Sequence, residues 1–143
     1  MTRRDGLRPR PVLLAGTLVA ATATLGSLYL SEVLGLVPCE LCWVQRILMY
    51  PLVVVVGVAA VERRPAVART LLPLSTLGAV VAGYHSYLQA TATADTCGAV
   101  SCAAVQYRLL GLSVPNLSLV AFLLLTLVGV VCLRSVTGAT RVA

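Results

Sequence analysis

Four long stretches without charge constrain this sequence more than any other feature, because a chain that carries four of them has few ways to hide them from water. A membrane-crossing helix needs about 20 mostly apolar residues. The first stretch runs from Pro11 to Ser31, between Arg10 and Glu32, and the third from Thr70 to Ala94, between Arg69 and Asp95. The fourth lies between Arg108 and Arg134. Its embedded part is expected to begin near Pro115 or Asn116, since proline suits a helix start. The second, from about Trp43 to Val61, is interrupted only by Arg46, one turn from its start, where a long side chain can reach back to the interface. With 59% hydrophobic and 11% charged residues, the chain has too little polar material to cover a soluble globule of 143 residues. The expected fold is an all-α membrane protein, a four-transmembrane-helix bundle with both termini cytoplasmic. It forms a single integral membrane domain over 1–143, with spans at about 12–32, 43–61, 70–90 and 116–135 and outer loops at about 33–42 and 91–115.

Orientation follows from the arginines, because short loops rich in basic residues stay in the cytoplasm. Nine of the eleven fall on one side: Arg3, Arg4, Arg8 and Arg10 in the N-terminal tail, Arg63, Arg64 and Arg69 in the middle loop, and Arg134 and Arg141 at the end. The N-terminal basic run before an apolar segment resembles a signal peptide, but the segment is longer than an h-region of about 7 to 15 residues and lacks a small-residue cleavage site. It is read as a retained first span. The net charge of +6 is thus an orientation signal and a contact to the lipid bilayer, and calls for no nucleic acid.

Parity then puts the connections after spans one and three outside. The first carries Pro38-Cys39-Glu40-Leu41-Cys42 and the second Cys97-Gly98-Ala99-Val100-Ser101-Cys102, so four of the five cysteines share the compartment in which disulfides form and persist. Cys132 lies about 24 Å deeper than Asn116 at 1.5 Å per residue and is left out of the chemistry. A C-x-x-C pair alone can be half a zinc site, a redox pair or a structural bridge. Here Cys42 stands at the N-terminal end of span two, where unpaired N–H groups and the helix dipole favour an anion, and Arg46 follows at i+4 on the same face. Both effects favour a thiolate, the nucleophile of thiol exchange. The competing reading of Arg46 is a headgroup anchor.

The run Cys39-Glu40-Leu41-Cys42-Trp43-Val44-Gln45-Arg46, with Ile47-Leu48-Met49-Tyr50-Pro51 after it, resembles the start of the second helix in the DsbB family of disulfide bond formation proteins. Tyr84-His85-Ser86-Tyr87-Leu88-Gln89, the Cys97 to Cys102 spacing and Val114-Pro115-Asn116-Leu117-Ser118-Leu119 are similar to its BdbC-like branch, which has a closely spaced second pair. The resemblance covers most of the chain. It implies a bacterial plasma-membrane oxidoreductase that reoxidises an extracytoplasmic thioredoxin-like dithiol oxidase, DsbA-like or BdbD-like, and passes two electrons to a membrane quinone, menaquinone or ubiquinone. It further implies that Cys97 forms the mixed disulfide with the partner, that Cys102 exchanges with Cys39, and that Cys42 reduces the quinone as a thiolate beside Arg46.

Other residues carry two readings each. His85, in the outer half of span three, is either an interhelical hydrogen-bonding group or a contact to a quinone carbonyl. Gln45 either orients the quinone or bonds to a neighbouring helix. Tyr84 and Tyr87 fit an aromatic belt, and Gly57, Gly78 and Gly83 fit close helix packing. Arg108 with Leu109-Leu110-Gly111-Leu112 suggests a short amphipathic segment lying in the interface. Three rivals frame the function. A vitamin K epoxide reductase-like enzyme would carry its C-x-x-C late in the bundle, whereas here it comes first. A four-cysteine structural zinc site gives Arg46 no role. A cysteine-stapled transporter or scaffold finds no intramembrane carboxylate in its support.

Overall fold

The computed structural model describes residues 9–91, 101–105 and 107–140. Helix α1 (Pro9–Leu28) is prolonged by a π-helical turn (Tyr29–Val33), and α2 spans Glu40–Glu62. A single 3-10 turn (Pro65–Val67) leads into α3 (Ala68–Thr91). A hairpin of β1 (Arg108–Leu109) and β2 (Leu112–Ser113) precedes α4 (Val114–Thr140). Among the described residues, four helical segments are long and apolar enough to cross a membrane: Arg10–Val33, Glu40–Glu62, Pro65–Thr91 and Val114–Gly138. Their outward faces present Leu18, Val54, Val61, Val80 and Leu127 as exposed side chains. Lipid solvates such surfaces and water does not, so the chain is a multi-pass membrane protein.

The helices form a ring in which each packs on its neighbours in sequence and α1 closes against α4, while α2 and α4 barely touch across the diagonal. The α3–α4 seam is the most extensive. At its centre Phe122 is fully buried against Gly78, where an added β-carbon would overlap the aromatic ring. At Gly129 the same atom would come 2.8 Å from Leu72 Cδ2. Small residues let helix backbones approach where lipid supplies no hydrophobic drive for association. Gly57 makes only ordinary contact with Thr17, at 3.5 Å. Gly83 corrects the expectation of close packing, because nothing among the described residues lies within 4 Å of a β-carbon built there. Thr126 donates to the Ser75 hydroxyl across the α3–α4 seam at 3.0 Å, which pairs two polar groups where no water is available.

The two connections that carry cysteines lie at one end of the bundle. At the opposite end α2 stops at Arg63, whose left-handed conformation (φ 55°) ends the helix while its N–H bonds to the Ala59 carbonyl. The segment expected to lie in the interface turns out to be the β1–β2 hairpin, with Arg108 paired to Ser113 and Leu109 to Leu112. Its two-residue turn has positive φ at both Leu110 (53°) and Gly111 (82°), the twist that matches right-handed strands. Leu109, Leu110 and Leu112 are all exposed, so the hairpin presents an apolar tip.

Candidate active site

Pro38 ends the first connection and Cys39 becomes the N-cap of α2, with extended backbone (φ −71°, ψ 171°). The first helical bond runs from the Trp43 N–H to the Cys39 carbonyl, at 3.1 Å. Cys42 therefore stands in the first turn of α2, among N–H groups that have no partner within the helix. That is the placement expected from sequence. The two sulfurs are 3.0 Å apart. Cys39 is buried, and its thiol is pushed up to about 12, first because it shares its proton with the Cys42 sulfur and then because burial disfavours the charged form. Contact with His85 pulls in the other direction.

His85, on α3, is 2% exposed and ties the two connections together. Its Nε2 is 3.1 Å from the Cys102 carbonyl and 3.7 Å from Cys39 Sγ, while its Nδ1 is 3.0 Å from Gln45 Nε2. A carbonyl can only accept, so Nε2 carries the proton. The neutral ring then has Nδ1 as acceptor, and the buried Gln45 amide donates to it. Gln45 thus bonds to a neighbouring helix, one of its two expected readings, and His85 is an interhelical group that also touches the cysteines. Cys102 is fully buried, and Cys39 Sγ, a His85 ring nitrogen and Cys102 Sγ all lie within 4.8 Å of one another. Cys39 and Cys102, 63 positions apart in sequence, are thereby within reach of sulfur exchange. Cys97 lies outside the described residues. Cys132 is buried in α4 and takes no part in this cluster.

Arg46 is held by α1. Its Nε donates to Ser27 Oγ at 2.9 Å, and its NH2 group donates to the Ser27 carbonyl at 3.0 Å and to Ser31 Oγ. Its guanidinium also stacks on Trp43, 5.3 Å from the ring centroid. A cation fixed to a neighbouring helix in this way is not a loose headgroup anchor. Sequence reasoning missed Ser27 and Ser31, which look like ordinary small residues of a span; their i, i+4 spacing on one face, opposite a lone intramembrane arginine, was the available signal.

Beside the cysteine pair is a cavity of about 640 Å³. Cys42, Gln45, Arg46 and His85 are among its walls, with Leu18, Val19, Ala23, Met49, Leu117 and Ala121 supplying apolar surface from α1, α2 and α4. Tyr50 Oη and Gln89 Oε1, from two further lining residues, are buried and have no hydrogen-bond partner among the described residues. A mostly apolar chamber with a fixed cation, a thiol and an unpaired hydroxyl suits a flat apolar molecule that bears carbonyl oxygens.

The profile of a family described as disulfide bond formation protein DsbB matches residues 9–132. Disulfide bond formation protein C of Bacillus subtilis is 39% identical over 119 residues, which cover 79% of this chain and 86% of that protein. A probable disulfide formation protein of Oceanobacillus iheyensis is 40% identical over 121 residues, covering 80% and 83%. Probable disulfide formation protein C 1 of Bacillus cereus is 36% identical over 118 residues, covering 79% and 85%. No solved structure gives a significant match.

Proposed function

Because the chain belongs to the DsbB family of disulfide bond formation proteins, and so serves disulfide generation as a membrane oxidoreductase, we propose that it oxidises an extracytoplasmic thioredoxin-like dithiol oxidase and delivers the electrons to a membrane quinone. Both termini are then cytoplasmic, by the arginine distribution, and the cysteine-bearing end of the bundle faces outward across the bacterial plasma membrane.

The observation that carries this reading is the approach of Cys39 and Cys102 to within 4.8 Å, with Cys42 lining the adjoining cavity. In the proposed sequence a partner thiolate attacks the Cys97–Cys102 disulfide at Cys97, and the second partner thiol closes the partner's disulfide and releases Cys97. Cys102 then attacks the Cys39–Cys42 disulfide at Cys39 and expels Cys42 as a thiolate. Cys97 resolves the Cys39–Cys102 bond, restoring its own disulfide and leaving Cys39 and Cys42 reduced. Attack at Cys39 follows from proximity, because Cys102 Sγ lies within 4.8 Å of Cys39 Sγ, and Cys39 is released in the resolving step beside the freed Cys42 sulfur. Two electrons and two protons have by then passed from the partner to this pair.

The cavity fits a quinone head: its volume suits a substituted ring, its walls are mostly apolar, and Arg46 and the unpaired Tyr50 hydroxyl can donate to carbonyl oxygens. Arg46 and Tyr50 would hold a quinone there, and it would supply an acceptor for two electrons and two protons. The residues of this chain do the rest. Ser27 and Ser31 hold Arg46 in the cavity wall that Cys42 also lines; Gln45 and His85 hold the Cys39 and Cys102 connections together. The test is the absorbance of added menaquinone or ubiquinone while reduced partner is supplied to the purified chain in detergent, with thiols counted afterwards. Quinone reduction matched to partner oxidation and abolished by Cys42→Ala is the expected result. Quinone that stays oxidised while the partner's thiols persist would overturn it.

A further inference from the structure

The cluster that brings Cys39 and Cys102 together contains a third donor that sulfur exchange does not consume. We infer that the fully reduced site is a binding site for a thiophilic divalent cation, zinc or cadmium, with Cys39 Sγ, His85 Nε2 and Cys102 Sγ as ligands, and that an ion held there stops disulfide exchange. A tetrahedral zinc ion with Zn–S near 2.3 Å and Zn–N near 2.0 Å sets its sulfur and nitrogen ligands about 3.6 Å apart and two sulfurs about 3.8 Å apart. Cys39 Sγ and His85 Nε2 are already 3.7 Å apart, and the three donor atoms lie within 4.8 Å of one another. Closing on an ion therefore takes shifts of about 1 Å or less.

Charge favours the same ligand set. All three residues are buried. Two thiolates and a neutral imidazole cancel a divalent charge, so the filled site brings no net charge into a medium that penalises one. Binding releases two protons to solvent, one from each thiol, and the His85 ring changes tautomer without changing charge. In this structure Nε2 carries the proton and Gln45 donates to Nδ1. When Nε2 binds metal, the proton moves to Nδ1, and the Gln45 amide, turned over, accepts it through its oxygen. A glutamine can serve both tautomers, and a second hydrogen-bonding partner of this type orients a metal-ligating histidine. An ion so held withholds Cys39 and Cys102 from each other and fixes the enzyme in its dithiol form.

The site rests on this geometry and not on quinone use, so the two readings fail separately. The probe is cadmium, titrated into the full chain in detergent after reduction and removal of reductant under argon. Binding is read from equilibrium dialysis and from the sulfur-to-cadmium charge-transfer absorption. One ion per chain is expected, with a cadmium-113 chemical shift in the mixed sulfur–nitrogen range. His85→Ala and Cys102→Ser should each weaken cadmium binding at least about tenfold. Cys132→Ala should leave it unchanged, and the disulfide form should not bind. Equal affinity in the parent, His85→Ala and Cys102→Ser would place the ion on the Cys39–Cys42 pair alone and overturn the inference, as would a sulfur-only shift in the parent. Should His85→Ala lose its helical circular dichroism, the parent's shift and His85→Gln decide. Bound cadmium should halt partner oxidation until a chelator removes it, and unimpeded oxidation at full occupancy would refute the inhibitory role. A chain that binds cadmium as described yet never oxidises a partner would refute the proposed function and leave the metal site standing.

Discussion

Replacing Cys42 with alanine should make Cys39 a far better nucleophile, although it destroys the pair. In the parent the Cys39 thiol is raised from 9.0 to about 12, and the first cause is the proton it shares with the Cys42 sulfur, followed by burial. At pH 8 a thiol at 9.0 is about one-tenth ionised, whereas one at about 12 is ionised in about one molecule in ten thousand, a ratio of about a thousand. Alanine removes the largest cause and leaves burial in place, so the gain in Cys39 thiolate falls short of that ceiling. An acceleration of about ten- to a hundredfold is expected. The assay is the initial rate of iodoacetamide labelling of Cys39 in the reduced protein, resolved by mass spectrometry from pH 7 to pH 10. The parent rate should still be climbing at pH 10, because the thiolate appears only as pH rises towards the raised value. The variant's rate should bend over earlier. A parent midpoint near 9, or equal rates in the two proteins, would refute the idea that Cys39 keeps the shared proton.

Other perturbations follow from single contacts. Replacing Ser27 and Ser31 together with alanine removes two acceptors from Arg46, and since hydrogen bonds to a charged group contribute about 1.5 to 3 kcal/mol, the KM for added quinone should rise about tenfold or more in steady-state assays. Gly78→Ala should destabilise the bundle by about 1 to 3 kcal/mol through overlap with Phe122, whereas Gly83→Ala, which meets nothing, should be neutral or slightly stabilising; thermal unfolding in detergent compares them. Gln45→Met strands the buried Nδ1 of His85 at a cost of about 1 to 3 kcal/mol, and in a double-mutant cycle the Gln45→Met/His85→Met variant should lose less than the two single losses added, because that sum counts their shared hydrogen bond twice, whereas the Cys102 carbonyl loses its donor in both proteins that lack His85. Single losses that simply add in the double variant would contradict the pairing.

The architecture was legible because charge is rare in this chain. Arg10, Glu32, Arg69, Asp95 and Arg134 bracket apolar runs whose length admits few folds other than membrane helices. Cys42 was legible for a local reason: Pro38 and the C-x-x-C spacing fix it in the first turn of α2. Partners across helices were not, because they depend on how each helix is rotated about its axis, and apolar residues on every side leave that rotation unmarked. Gln45 could be paired with His85, and Arg46 with Ser27 and Ser31, only once α1, α2 and α3 were set side by side. The same indifference misled the reading of Gly83, since a glycine facing open space and a glycine facing Phe122 look alike in a string of letters. The hairpin at Leu110-Gly111 was obscured by a leucine at a position whose positive φ usually selects glycine or asparagine.

The π turn at Tyr29–Val33 includes Ser31, one of the two serines that grip Arg46. A turn of this kind winds more residues into its arc than an α-helix would, and such turns gather at functional positions. Deleting one residue between Ser27 and Ser31 would allow the segment to relax into ordinary helix, yet each residue in an α-helix advances the side-chain direction by about 100°. Ser31 would turn away from α2 by part of that angle while Ser27 stayed in place. The phase of α1 thus works as a vernier on the Arg46 cation: a change of length in a helix that bears no cysteine would retune a redox pair on the next one.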